Sequence, residues 1–209
     1  MKRLTLLTVI TALALCGVVF GQEPPVVKGP PFPTGAKPSP AHMLLSAPRL
    51  TATRAALPQV AYIPTKLDYW GNNQYGVCVS SEEAFNQAAS GVFIEAKVVV
   101  EWARKNGWLN GAYLTEVMDE MERDGFVVGG KTYGIGKRFA VDYSKEGELK
   151  NALSIAPVKI AMASSALSGS GAGSKNGWYV LGGRHRNTDH CVAIAGYGSA
   201  GWLCEKLKV

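Results

Sequence analysis

Cys78 closes a polar, glycine-bearing loop, Gly71-Asn72-Asn73-Gln74-Tyr75-Gly76-Val77, and His190 opens an apolar run that ends in Gly196-Tyr197-Gly198. More than half of the chain separates the two residues. A thiol and an imidazole are a candidate nucleophile and base. At this separation only a fold that returns the second half of the chain onto the first can bring them within hydrogen-bond reach.

The texture of the chain agrees with such an arrangement. Ser80 and Glu83 stand at capping-box spacing, and a helix is expected from there to about Ala89. Ile94 to Asn106 has helical spacing, as does the set Leu114, Val117, Met118, Met121 and Phe126, stopped by Asp124-Gly125. Beyond Gly136 the pattern turns to strands: Phe139 to Tyr143, Val158 to Ala163, Trp178 to Val180, His190 to Gly196 and Trp202 to Val209. A short helix, Glu146 to Ser154, and a loop, Ser164 to Lys175, interrupt them. Helices first and strands later predict an α+β protein, with a helical lobe over about 60–137, an antiparallel β lobe over about 138–209, and a cleft between them.

The region before residue 60 reads differently. Lys2 and Arg3 precede an apolar run from Leu4 to Phe20, and small residues stand at the cleavage positions, so residues 1–21 read as a signal for export. An uncleaved membrane anchor is the rival reading. Residues 22–59 hold nine of the chain's eleven prolines, which predicts an extended, solvated linker. The domain is expected over 60–209. Its composition, 47% apolar and 18% charged, is that of a folded globule. The net charge of +6 falls to about +4 once Lys2 and Arg3 leave, and no basic cluster remains, which argues against a nucleic-acid partner.

Loss of Cys16 with the signal leaves Cys78, Cys191 and Cys204, an odd number in an exported protein. A Cys191–Cys204 bridge is open on sequence, and Cys78 is the odd thiol. Its place at a helix start favours the thiolate, whereas Glu82 and Glu83 in the same turn oppose it. No short Cys or His spacing suits a metal, and the Gly169-to-Lys175 stretch lacks the phosphate-loop arrangement, so neither a metal nor a cofactor is expected.

Four stretches, in order, resemble the papain-like cysteine peptidases. Gly76-Val77-Cys78 leads into a helix like the family's nucleophile segment. Leu109-Asn110-Gly111-Ala112-Tyr113, with the helix ending at Asp124-Gly125-Phe126, is similar to its Asn-Gly-Gly region. Ala156-Pro157-Val158-Lys159-Ile160-Ala161, after a short helix, is similar to its Gln-Pro-Val strand. Asp189-His190-Cys191-Val192-Ala193-Ile194-Ala195-Gly196-Tyr197-Gly198 is similar to its histidine strand. The resemblance implies a peptide or protein substrate, Cys78 as nucleophile, His190 as its ion-pair partner and acid, and a side-chain amide at Asn72 or Gln74 facing the oxyanion.

The departures from the family pattern also carry expectations. Val79 stands where the family has Trp, and no Asn, Asp or Gln follows His190 to orient its ring. The chain therefore reads either as a piece whose orienting residue lies past Val209 or as a domain that has lost it. Two other functions follow from the same residues: an inactive papain-like module that binds peptides, and a Cys/His hydrolase or acyl transferase acting on cell-wall peptides.

Overall fold

The structure, a computed structural model, describes residues 33–50, 57–169, 178–180 and 188–208. The expected export signal lies outside the described residues, as do residues 170–175 of the expected Ser164–Lys175 loop. Among the described residues no helix is long and apolar enough to cross a membrane.

The fold is α+β, built from short helices and small antiparallel strand pairs. In chain order the elements are α1 (Ala41–Leu45), β1 (Val60–Ala61), α2 (Cys78–Ala89), α3 (Ala96–Lys105), α4 (Leu114–Arg123), β2 (Phe126–Val128), β3 (Lys131–Tyr133), α5 (Glu146–Leu153), β4 (Val158–Met162), β5 (Leu167–Gly169), β6 (Trp178–Val180), β7 (His190–Ile194), β8 (Gly196–Tyr197) and α6 (Ala200–Leu207). The pairs are β1 with β8, β2 with β3, β4 with β7 and β5 with β6.

The β4–β7 pair organises the interior. Its register sets Val158 opposite Ile194 and Met162 opposite His190. Side chains alternate between the two faces of a strand, so Lys159, Ala161, Cys191 and Ala193 share one face. Cys191 and Ala161 join the main core there, with Val79, Ala84, Val99, Val117, Met121 and Phe126 from the helices and β2. Val158 and Ile194, on the other face, pack on Leu149, Leu153 and Tyr197. One strand pair thus divides two apolar clusters. Within the larger, Trp102 meets the edges of Phe126 and Trp108 with ring centroids 5.0 and 5.1 Å apart.

Several expectations are corrected. The linker is docked at points along its described part: Ala36 is 5% exposed in the main core, Leu57 packs on the second cluster, and Arg49 bridges Ala140, while Thr34, Lys37 and Leu44 between them stay exposed. Buried alanine and backbone bonding outweigh the extended, solvated preference of a proline-rich composition. No capping box opens α2; the helix starts at Cys78 with Val77 as its uncapped N-terminal flank, and Ser80 Oγ is buried without a partner. Phe126 begins a hairpin, β2–β3, rather than ending a helix, because Gly125 at φ 61 and Gly129 at φ 58 turn the chain on either side of β2. Phe139 to Tyr143 contributes only the bridge at Ala140.

The last expected strand, Trp202 to Val209, is instead helix α6. Ser199 caps it, its Oγ accepting from the Trp202 N–H at 3.4 Å, and Leu203 and Cys204 are buried while Leu207 lies one turn on. The run Trp202-Leu203-Cys204 looks like strand, but its charged neighbours Glu205 and Lys206 fall on the open side only with helical periodicity. Cys191 carries a free thiol, so the bridge to Cys204 is not formed.

Candidate active site

The loop before Cys78 is anchored through Trp70. This residue is buried, and its indole Nε1–H donates to the Ile94 carbonyl at 2.7 Å while Ser81 Oγ–H donates to the Trp70 carbonyl at 3.2 Å. Trp70 has φ 48 and Gly71 φ 86. A bulky residue in the left-handed region costs about 1–3 kcal/mol and persists only where its surroundings hold it. The two hydrogen bonds and the Phe93 ring, 5.9 Å away between centroids, do so here. The turn that follows delivers Cys78 to the first position of α2.

Cys78 is 2% exposed. Burial pushes its thiol pKa up. The backbone N–H groups of Cys191, Gly35 and Val79 face the sulfur and oppose that rise, as does the Lys159 charge, without overcoming it. The thiol therefore abuts residue 191, the immediate neighbour of His190. The imidazole is 8% exposed; burial lowers its pKa, and the Asp189 carboxylate partly offsets this. Asp189 is fixed in turn by Ser164, whose N–H and Oγ–H donate to its two carboxylate oxygens at 2.7 and 2.8 Å. His190 Nδ1 is buried without a hydrogen-bond partner, and no hydrogen bond joins it to Cys78. Burial shifts thiol and imidazole in opposite directions, both towards their neutral forms, rather than towards the expected ion pair.

The two candidate oxyanion amides are not equivalent. Gln74 is exposed on the turn, its backbone N–H given to the Gly71 carbonyl at 3.0 Å. Asn72 is half-buried, and its Oδ1 is buried without a partner.

Glu82 and Glu83 meet a counter-charge that the sequence did not show. Both are buried, and both pair with Lys159, which reaches across from β4: its Nζ lies 3.0 Å from Glu82 Oε2, bonds Glu83 Oε1 and donates to the Val79 carbonyl at 3.2 Å. Asn86 adds an amide to Glu82 Oε1 at 3.0 Å. Burial pushes the Glu82 carboxyl up to about 7, against the pull of Lys159 and with the help of Glu83. Burial disfavours the Lys159 ammonium as well, but the two carboxylates prevail and hold its pKa above the ordinary lysine range. Sequence reasoning missed this triad, because only the β4–β7 register brings Lys159 under the first turn of α2.

One further neighbour occupies the site. Residues 34–37 run extended between the Gly76-to-Cys78 loop and Asn110-to-Ala112 on one side and Asp189 on the other. The Ala36 N–H donates to the Asp189 carbonyl at 3.0 Å, the Ala112 N–H to the Gly35 carbonyl at 2.8 Å, and the Lys37 N–H to the Ala112 carbonyl at 2.9 Å. Ala36 and Ala112 pair in the parallel sense.

No family model, curated protein or solved structure matches this chain. The chemistry available must be read from these contacts alone. A cavity of about 920 Å³ lies elsewhere, walled by Leu114, Met118, Ile135, Phe139 and Ile160 with Glu83 at its edge, and neither Cys78 nor His190 lines it. It touches the ion triad and not the thiol.

Proposed function

We propose that this chain is an exported, papain-like two-lobed cysteine peptidase that takes an extended peptide across Cys78 and hydrolyses it with His190 as base and acid. The single observation that carries the reading is the lodging of residues 34–37: a stretch of backbone, held by backbone hydrogen bonds to Asp189 and Ala112, turns the Gly35 N–H to the sulfur of Cys78. A groove that holds one peptide through main-chain groups suits others, because those groups are common to every sequence.

In the proposed reaction the Cys78 proton passes to His190 and the sulfur bonds to the substrate carbonyl carbon. The C–N bond then breaks, and the amine leaves with the proton from His190. Water, giving a proton to His190, hydrolyses the thioester, releasing the acid and restoring the thiol. The Asn72 amide is the better placed of the two candidates to face the oxyanion, since Gln74 projects from an exposed turn. The export signal of residues 1–21 belongs to the same reading.

The resting segment is not a substrate in this position. Its peptide bonds are trans, and in a trans peptide the N–H and C=O point in opposite directions. With the Gly35 N–H turned to the sulfur, the neighbouring carbonyl of Thr34 points away from it.

A second reading is an inactive peptide-binding module of the same architecture. It is favoured by the unpartnered Nδ1 of His190 and the missing Cys78–His190 hydrogen bond. The two are separated by iodoacetamide labelling of Cys78, followed on its own peptide by mass spectrometry, in full chains carrying Ala36→Pro. Proline there deletes the N–H given to Asp189 and opens the site. A catalytic pair predicts labelling below pH 7 that His190→Ala slows by about tenfold or more, the effect of one unit in thiol pKa. Identical ordinary-thiol profiles in the two chains defeat the peptidase and leave the module.

A further inference from the structure

Three glycines meet over Cys78. Gly35 of the lodged segment, Gly76 of the nucleophile loop and Gly111 of the opposite wall are in backbone-to-backbone contact. A Cβ on Gly35 would fall inside the van der Waals envelope of the Gly76 carbonyl oxygen. A Cβ on Gly76 would stand 2.9 Å from the Thr34 carbonyl oxygen, and one on Gly111 would stand 2.7 Å from the Gly35 carbonyl oxygen. The three nearest obstacles at Gly35 are all backbone atoms of Gly76, which cannot rotate aside as a side-chain tip can. Gly111, at φ 108, is also held in a conformation that other residues rarely adopt.

The flanking positions of the segment are treated differently. Ala36 is 5% exposed and sits in the core cluster that contains Ala112 and Cys191. Thr34 and Lys37 are exposed. The groove therefore encloses its occupant at two adjacent positions, while Thr34 is exposed and Lys37 meets the wall only through its Nζ, 5.6 Å from the Tyr113 ring centroid.

Resting on the proposed peptide groove, we infer that this site selects glycine at the point of closest approach to Cys78, followed by a small residue, and that its ligands are extended peptides carrying a Gly–Ala-like step. The walls that impose this are Gly76 and Gly111. The chain's own Gly35-Ala36 satisfies the requirement and so occupies the groove at the high effective concentration that a tether provides.

The test uses the full chain and the labelling rate of Cys78 read on its own peptide. Gly35→Ala is expected to expel the segment and raise that rate by about tenfold or more, as the cost of forcing a methyl group into a filled space commands. Free Pro-Thr-Gly-Ala-Lys-Pro at millimolar concentration should then restore protection to this variant. Pro-Thr-Ala-Ala-Lys-Pro should do so about tenfold less well. If Gly35→Ala proves poorly folded by circular dichroism, Ala36→Pro opens the groove to the same two peptides with no new group beside Gly76. Equal protection by both peptides, or protection by neither, overturns the glycine requirement. A labelling rate unchanged by Gly35→Ala overturns the peptide groove itself. His190 enters neither outcome, so the result stands apart from the question of catalysis.

Discussion

Replacing Glu82 with Gln isolates the ion triad beneath α2. The carboxyl is buried, its pKa raised from 4.5 to about 7 first by loss of water and then by Glu83, against the attraction of Lys159. An acid whose folded pKa is raised binds its proton more tightly in the folded state. Its stabilising contribution is complete below pH 4.5 and is lost as pH rises through about 7. At about 1.4 kcal/mol per unit, the loss across this window is on the order of 3 kcal/mol. Lys159 stays charged throughout, since its pKa lies above the ordinary lysine value. His190 acts with the opposite sign, because its pKa is lowered by burial and so favours folding as pH rises towards its ordinary value. The wild-type profile alone would mix the two, so the comparison must be a difference between chains. Urea unfolding followed by tryptophan fluorescence, at pH 5 and pH 7.5, supplies it. Glu82→Gln should gain on the wild type by roughly 2 kcal/mol between the two, because pH 5 already lies inside the window. A wild-type-to-variant difference that is the same at both would show that Glu82 titrates as an ordinary glutamate and would refute the reasoning.

Lys159→Met leaves Glu82 and Glu83 buried without a counter-charge and should cost about 3–5 kcal/mol in the same assay at pH 7.5. Combining it with Glu82→Gln and Glu83→Gln should recover most of that loss, and a triple variant as weak as the single one would show that packing of the lysine stem dominates. Ser199→Ala removes the side-chain cap of α6 and should cost about 1 kcal/mol, read as a shift in urea midpoint with unchanged slope.

The sequence carried α2 to α5 and the strands β4 and β7, though not their pairing, because the signals of each are local. Val158 to Met162 and His190 to Ile194 are apolar runs of strand length, and α4 shows its core face in Leu114, Val117 and Met121. What it did not carry depended on partners distant in the chain. Lys159 reads as a charge interrupting a strand until the register sets it beneath Glu82 and Glu83. Residues 33–50 read as linker because proline and glycine deny them a core of their own. The burial of Ala36 and the fit of Gly35 come from walls distant in the chain, supplied by Gly76, Gly111, Ala112 and Asp189. For α6 the one local cue is Ser199, a residue type suited to an N-cap, and the continuous apolar triplet after it reads as strand.

The neutral thiol and imidazole and the lodged segment are parts of one arrangement. Burial is the first cause of both the raised Cys78 pKa and the lowered His190 pKa, and residues 34–37 lie on that site. Displacing them has two effects on the sulfur. It loses the Gly35 N–H, which favours the thiolate, and it gains water, which also favours the thiolate; burial is the largest influence on this thiol, so the net effect expected is towards the thiolate. The expected outcome of opening is a fall in the thiol pKa. The imidazole loses only its desolvation and keeps the Asp189 carboxylate beside it, so its pKa must rise. The two values converge, which is the condition for a proton to pass between them. A chain opened by Ala36→Pro should accordingly show the lower thiol pKa and, by NMR, the higher imidazole pKa together. A shift in one without the other would mean that the segment is not what keeps the pair neutral.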